Sequence, residues 1–395
     1  MSEKHNIDTL IEGLQEVRKD AQLEEILQSA LSAPLPTKQR LQQIESALET
    51  FKSLGLFGGG DQRDIHMLKS LGRAYEQLSH LDKAFETYNT ALELSERYTD
   101  FPARAELLGW KGRVLSKWSR WEEAHAALEE STTVYRQLDD VKGQAYVSRT
   151  IGVLYSRQSD FERAHTAYEQ ALEFAEKAGS RRKVAAANNN LAILATIRGD
   201  KDAAISRYEA SIAAYEEVDD HRGIAGAYHN LGMTQADIKD FTSAMDSYEK
   251  GFEVARKVDH LVCMANIHLS MAELMLEMGN SMMVPFCCTR ALDIYKKTGN
   301  QSGEADTYRL LGNTFTLRRD WESAQQLFAD SLALNIKCGN RLGAAQVERD
   351  TGKMMIARGH REDAMAALES AHDAFKELGA EADEAEVAEL LMTLG

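Results

Sequence analysis

Residues 151–180 read IGVLYSRQSDFERAHTAYEQALEFAEKAGS, and their order of small and bulky residues recurs along the whole chain. Gly152 lies on a lattice of step 40 with Gly72, Gly112, Gly232, Gly312 and Gly352, and Ala192 and Ala272 fill the two gaps. Twelve residues after these positions come Ala84, Ala124, Ala164, Ala204, Ala244, Val284, Ala324 and Ala364. Four further on stand Tyr88, Leu128, Tyr168, Tyr208, Tyr248, Cys288, Phe328 and Leu368. A third lattice is alanine at 105, 145, 185, 225, 265, 305, 345 and 385. Random placement of 26 glycines in 395 residues would put fewer than one in eight such slots, so the period decides the fold.

Each period holds two helix boundaries. One is read from Ser-Asp, Gly-Asp, Lys-Asp, Gly-Asn and Arg-Asp at 159–160, 199–200, 239–240, 279–280 and 319–320. The other is Asp-Asp, Gly-Ser, Asp-Asp, Gly-Asn and Gly-Asn at 139–140, 179–180, 219–220, 299–300 and 339–340. Glycine supplies the left-handed residue that ends one helix, and Asp, Asn or Ser caps the next. Helices of about 18 residues, roughly 27 Å long, with short connections must lie antiparallel. Glycine or alanine on the first lattice lets the second helix approach the first, and the bulky residue four after the small alanine fills the space beneath. A single pair cannot bury both faces, so the pairs must stack.

Composition agrees with a helical chain and narrows its function. Hydrophobic residues make up 44% and there are only 4 prolines. With 46 basic against 62 acidic residues the net charge is −16, which opposes nucleic acid as a partner. No apolar run approaches the roughly 18 residues of a membrane span, and the start MSEKHNIDTL has no signal-peptide core. The cysteines, Cys263, Cys287, Cys288 and Cys338, have no C-x-x-C spacing and read as buried reduced thiols of a cytoplasmic protein.

The pattern Ile151-Gly152, Tyr155, Ala164, Tyr168, Ala171, repeated as Leu71-Gly72, Tyr75, Ala84, Tyr88, Ala91, resembles the tetratricopeptide repeat (TPR) family over roughly residues 61–378. The family's usual tryptophan is absent from most copies, its closing proline is missing, and the step is 40 rather than the family's usual shorter one. That longer step, with His229-Asn230-Leu231-Gly232, looks like the form found in spindle-orientation adaptors and in Rap-type peptide receptors. The resemblance implies an all-α, right-handed superhelical solenoid of antiparallel helix pairs, with eight repeats over 61–378 and a capping helix over 379–395.

Residues 1–58 fall outside the lattice. They read as helices near 6–31 and 37–54, forming either an N-terminal cap or a small effector bundle, followed by a flexible joint through Gly58-Gly59-Gly60. Repeat six is the odd copy, with Met264, Met271, Met275, Met278, Met282 and Met283, and with Pro285 placed to bend or delay its second helix. It is either a softly packed repeat or a hinge, partner or dimer contact.

The expected ligand stripe runs along the first helix of each pair. In the resembled family this face lines the concave groove. It carries Lys69, Arg73, Arg113, Lys117, Arg149 and Arg157 in repeats one to three, against Glu76 and Glu106. Repeats four and five place Asn189, Asn190, His229 and Asn230 there, and repeats seven and eight place Arg309, Asn313, Arg349 and Lys353. A basic, amide-rich face on an acidic chain suits an acidic segment of a protein or peptide partner, with amides bonding its backbone and guanidinium forks taking its carboxylates. Individually, such residues equally serve solubility. The 11 histidines are scattered without metal-ligand spacing, and no phosphate loop or nucleophile elbow occurs, so the reading is a non-enzymatic adaptor needing no metal or cofactor. A Rap-type receptor switched by a short peptide, or a self-assembling protein pairing through repeat six or an end, are the alternatives.

Overall fold

In the computed structural model, which describes residues 19–32, 37–53, 58–60 and 62–394, two boundaries per period become a single rule. Every twentieth residue from Ser79 to Gly379 has a positive φ: sixteen positions, nine of them occupied by residues other than glycine. Each closes a helix in the same way. At the turn after α7 (Val141–Arg157), the Ser159 N–H donates to Ser156 O at 3.1 Å and the Asp160 N–H to Tyr155 O at 2.9 Å. The carboxylate of Asp160 then accepts from the Arg163 N–H at 3.1 Å and opens α8 (Phe161–Lys177). One residue thus ends one helix with its backbone and caps the next with its side chain. Asp100, Asp140, Asp200, Asp240, Asn300, Asp320 and Asn340 do the same.

The described residues are all-α, without a strand. They divide into two compact units, 1–220 and 221–395. The first contains α1 (Lys19–Ser32), α2 (Thr37–Ser53) and four helix pairs: α3 (Gln62–Gln77) with α4 (Leu81–Arg97), α5 (Phe101–Lys117) with α6 (Trp121–Gln137), α7 with α8, and α9 (Arg181–Ile197) with α10 (Lys201–Glu216). The second contains α11 (His221–Asp237) with α12 (Phe241–Lys257), α13 (Leu261–Glu277) with α14 (Val284–Thr298), α15 (Gln301–Leu317) with α16 (Trp321–Cys338), α17 (Arg341–Arg358) with α18 (Arg361–Leu378), and the single α19 (Glu381–Leu394).

The lattices have the packing role that their sizes suggest. A Cβ on Gly72 would lie 2.2 Å from the Tyr88 ring, one on Gly152 2.4 Å from Tyr168, and one on Gly312 2.6 Å from Phe328. A second set of glycines admits the preceding repeat: Gly143 faces the Tyr135 ring and Gly303 faces Tyr295, again far closer than a side chain permits. The alanine lattice is fully buried through its carbonyls as well, with Ser131, Ser211 and Ser331 donating to Ala105, Ala185 and Ala305 O at 2.7–2.8 Å. Ala385, on α19, is exposed.

Several expectations change. The boundary at Asn280 does not cap a helix: Pro285, which has no N–H to offer, sits in the first turn of α14 and delays its start to Val284. Met278, Met282 and Met283 are left exposed there, while Met264, Met271 and Met275 pack against the core. Cys263, Cys287 and Cys288 are buried free thiols, but Cys338 is exposed because it ends α16 beside the left-handed Gly339. The described part of the expected joint is tied down, since Asp64 accepts from Gly58 N at 3.3 Å and Gly60 N at 2.7 Å, and the Tyr98 hydroxyl donates to Gly60 O at 2.9 Å. Residues 6–18, 33–36 and 54–57 of the expected N-terminal segment lie outside the described residues. Within it, Ile26, Leu27, Ile44 and Phe51 join the hydrophobic cluster of repeat one. At the other end Val387 and Leu394 join the cluster of Leu368 and Phe375.

Candidate functional site

The stripe of the first unit is built from helices α3, α5, α7 and α9, whose opposite faces are committed to the core. Its cations fall into two classes. At repeats one and two all but Arg73 are tied internally by ion pairs. Arg113 grips the buried Glu76 with two bonds, Nε to Oε1 at 2.8 Å and Nη2 to Oε2 at 2.6 Å, and Lys117 reaches the same carboxylate at 2.9 Å. Burial pushes the Glu76 carboxyl up, but Arg113 and Lys117 outweigh it, so it rests below the ordinary carboxylate value. A third bond, from Arg113 Nη1 to the Tyr146 hydroxyl at 3.0 Å, carries the network into repeat three. Lys69 pairs with Glu106 and stands 5.5 Å from the centre of the Trp110 ring, which the exposed Arg73 also overlies at 5.5 Å.

The second class begins at repeat three. Arg149, half-buried, and Arg157, exposed, make no ion pair among the described residues. Lys183 of α9 lies 5.5 Å from the Tyr146 ring centre and, among the described residues, also lacks an ion pair. Burial first, and Arg149 second, hold the Lys183 ammonium below its ordinary value, although Asp140 and Glu106 act the other way. Lys142, Lys183, Trp110, Tyr135 and Tyr146 border a cavity of about 440 Å³ on this face. Further along α9, the Nδ2 of Asn190 is buried without a hydrogen-bond partner, and Asn189 is half-buried beside it. Asn188, one residue earlier and turned to the core, bonds Val184 O and Arg207.

In the second unit the expected basic stripe is neutralised from within. Arg309 and Asn313 both reach Asp350 Oδ2 at 2.9 Å, and Arg349 contacts Asp350 at 3.1 Å, Asp383 at 2.6 Å and Glu386 at 3.0 Å. Asp350 is buried; the two arginines and Asn313 overcome that burial and keep its carboxyl below the ordinary value. Lys353 bonds Glu386 as well. His229 is bonded to Ser270 at 3.0 Å, and burial drives it down to about 4, so its ring is neutral at pH 7. Asn230 is half-buried on the same helix. Burial raises the Asp306 carboxyl on the same face, although Arg309 acts the other way.

The residues missed in the sequence are Lys142, Lys183, Trp110 and Tyr146. The two lysines lie at helix starts just outside the stripe, and the two aromatics were not singled out among the chain's many aromatic residues. Among the described residues no cluster of three or more His, Cys, Asp and Glu can hold a metal, and no helix is long and apolar enough to cross a membrane.

Residues 63–137, 103–177 and 183–257 match the tetratricopeptide repeat family model. No curated protein matches the sequence. Solved structures of similar fold include the apo quorum sensor NprR from B. thuringiensis, with 15% identity and a TM-score of 0.61 over 89% of this chain and 97% of that one. Aspartyl phosphate phosphatase F from Bacillus subtilis is similar at 12% identity and a TM-score of 0.58, covering 91% of this chain and 96% of that one. A Rap protein complexed with competence and sporulation factor matches at 13% identity and a TM-score of 0.53, over 84% and 96% of the two chains. The repeat match, the paired helices and the stacked small-residue lattices agree: the chain carries tetratricopeptide repeats.

Proposed function

We propose that the chain is a protein-binding scaffold whose first unit holds an acidic segment of a partner protein along repeats one to four. The observation that carries this is the set of cations without an ion pair among the described residues, Arg149, Arg157 and Lys183, together with the buried, unbonded Nδ2 of Asn190, on helices α7 and α9 of a chain of net charge −16. Arg149 and Lys183 are half-buried, and like charges so placed without counter-ions are costly in the free protein, a cost an acidic ligand removes. Lys69, Arg113 and Lys117 shape the same face, but with their charges already paired they orient the ligand rather than attract it, while Arg73, exposed over the Trp110 ring, adds to the attraction. In the second unit His229, Asn230, Arg309, Asn313 and Arg349 are assigned to holding repeats together, with neutral hydrogen bonding as their remaining capacity.

One similar structure holds competence and sporulation factor and another is a quorum sensor, which supports a regulatory form of the same scaffold. The test is fluorescence anisotropy with a labelled peptide rich in Glu and Phe, against its counterpart with Lys in place of Glu. The acidic peptide should bind with an affinity that falls as salt rises, and Arg149→Glu with Arg157→Glu should abolish it. Equal binding of both peptides would sink the proposal.

A further inference from the structure

Repeat six gives up charge where every other copy keeps it. Residues 278–289 hold no Asp, Glu, Lys or Arg, whereas the equivalent stretch of each of the other seven copies holds three to six. Met282 takes a slot that is Asp or Glu in six copies, as at Asp202 and Glu322, and Thr242 in the seventh. Phe286 stands where other copies have residues such as Glu86, Thr166 and Gln326, none of them apolar and larger than alanine. The inward side of α14 is kept, with Val284, Cys287, Cys288 and Ala291 buried. The outward side is what changed: Met278 is 52% exposed, Met282 81%, Met283 43% and Phe286 52%. Relaxed packing puts polar residues into a core; it does not put large apolar residues into water. The change also deprives α14 of its own support, since Met283 precedes it without a side-chain cap and its first turn has no acidic residue. Local rules broken with no local gain are the signature of a functional surface.

Two arginines edge this patch. Arg290, one turn after Phe286, has its guanidinium carbon 5.3 Å from that ring's centre, and Arg318 reaches back from the next repeat to donate from Nη2 to Ser281 O at 2.6 Å. Neither makes an ion pair among the described residues. Glu277, the acidic residue just before the stretch, is paired with Lys239 at 3.0 Å. We propose that the patch is a second docking surface, for a segment of a partner protein that sets apolar side chains beside carboxylates. The methionines adapt to the apolar side chains, and Arg290 and Arg318 take the carboxylates. The surface lies wholly in the second unit and does not depend on the ligand face of the first. A second copy of the chain is a poor occupant. A two-fold contact would bring the same two arginines to both sides with no carboxylate between them, and four side chains offer a few hundred Å² against about 800 Å² per copy in a stable dimer. An anionic membrane would repel a chain of net charge −16.

The experiment uses the full chain, carbon-13-labelled at its methionine methyls and titrated with an amphipathic peptide of Leu and Glu or with its Leu–Lys counterpart. The Leu–Glu peptide should shift the signals of Met278, Met282 and Met283 and leave that of Met392, 80% exposed on α19, in place. The shifts should persist in an Arg149→Glu, Arg157→Glu background, which keeps this outcome separate from that of the first unit's face. Met282→Glu restores the residue type of the sibling repeats, so the melting temperature should hold while affinity falls at least about ten-fold, the scale of one interface anchor. Arg290→Gln with Arg318→Gln should weaken binding and flatten its salt dependence. Equal shifts with both peptides, none with either, or a Met282→Glu variant that binds like wild type would overturn the proposal. Dimers that Met282→Glu dissolves, or phosphatidylserine vesicles bound in place of the peptide, would overturn it in favour of a second copy or a membrane.

Discussion

Replacing Thr99, Ser119 and Arg319 by glycine should stabilise the protein, although each change removes a side chain. All three have positive φ, between 57° and 59°. An L-residue in that region pays about 1–2 kcal/mol for the contact of its Cβ with the backbone. Glycine avoids the contact but loses roughly 0.5–1 kcal/mol more in chain entropy on folding. The net gain is then about 0.5–1 kcal/mol at each site, with Thr99 at the upper end because its branched Cβ is the most crowded. The reverse change supplies the control. Gly359 has φ +86 and open space around a hypothetical Cβ, so Gly359→Ala should cost about 1 kcal/mol from the backbone alone. Urea unfolding followed by circular dichroism would measure the totals, and native-state hydrogen exchange would assign them to the helices flanking each turn, which matters because stacked repeats need not unfold together. If the glycine variants are no more stable than the parent and Gly359→Ala is silent, backbone strain at these turns is not what sets their stability.

Two further expectations test the packing and the buried ions. Gly312→Ala should destabilise by about 1–3 kcal/mol because the Phe328 ring must shift, whereas Gly226→Ala, in the same kind of helix with nothing within 4 Å, should stabilise by up to about 1 kcal/mol; melting temperatures moving in the same direction would contradict the assigned helix faces. Asp350 and Glu76 both lie below their ordinary values, so their contribution is present above the unfolded carboxyl pKa and is lost as pH falls through the lower folded value. An Asp350→Asn variant should therefore lose stability less steeply than wild type between about pH 5 and about pH 2, and parallel stability curves would count against the Arg309–Asp350–Arg349 cluster as a source of acid sensitivity.

The repeat, its helix pairs and the delay at Pro285 were readable in the sequence because they depend on local spacing. The small residue at Gly72 and the larger one at Tyr88 have equivalents 16 residues apart in every copy, and a fixed spacing on paired helices carries its own evidence. The state of the charged stripe was not readable. Whether Arg113 is a free cation depends on Glu76 one repeat away, and whether Arg349 is free depends on Asp383 and Glu386 of the last helix. Composition counts these charges but does not pair them. Cys338 escaped for a related reason, since its exposure follows from where α16 stops rather than from its residue type. Lys183 was overlooked because a lysine in the first turn of a helix is ordinary until the neighbouring helix brings the Tyr146 ring beneath it.

The turns that join the helices are so short that the chain has almost no slack. With one residue closing a helix and capping the next, an insertion there would remove either the closing bond or the cap. Growth and loss of such a chain would then proceed by whole duplicated or deleted blocks, and length polymorphism inside a block should be rare. The exception is the stretch 281–283, where Pro285 has already separated the two functions and Met282 faces solvent. An epitope or a protease site placed there should be accepted with the two flanking helices intact, which makes repeat six the natural point at which to label this protein or cut it in two.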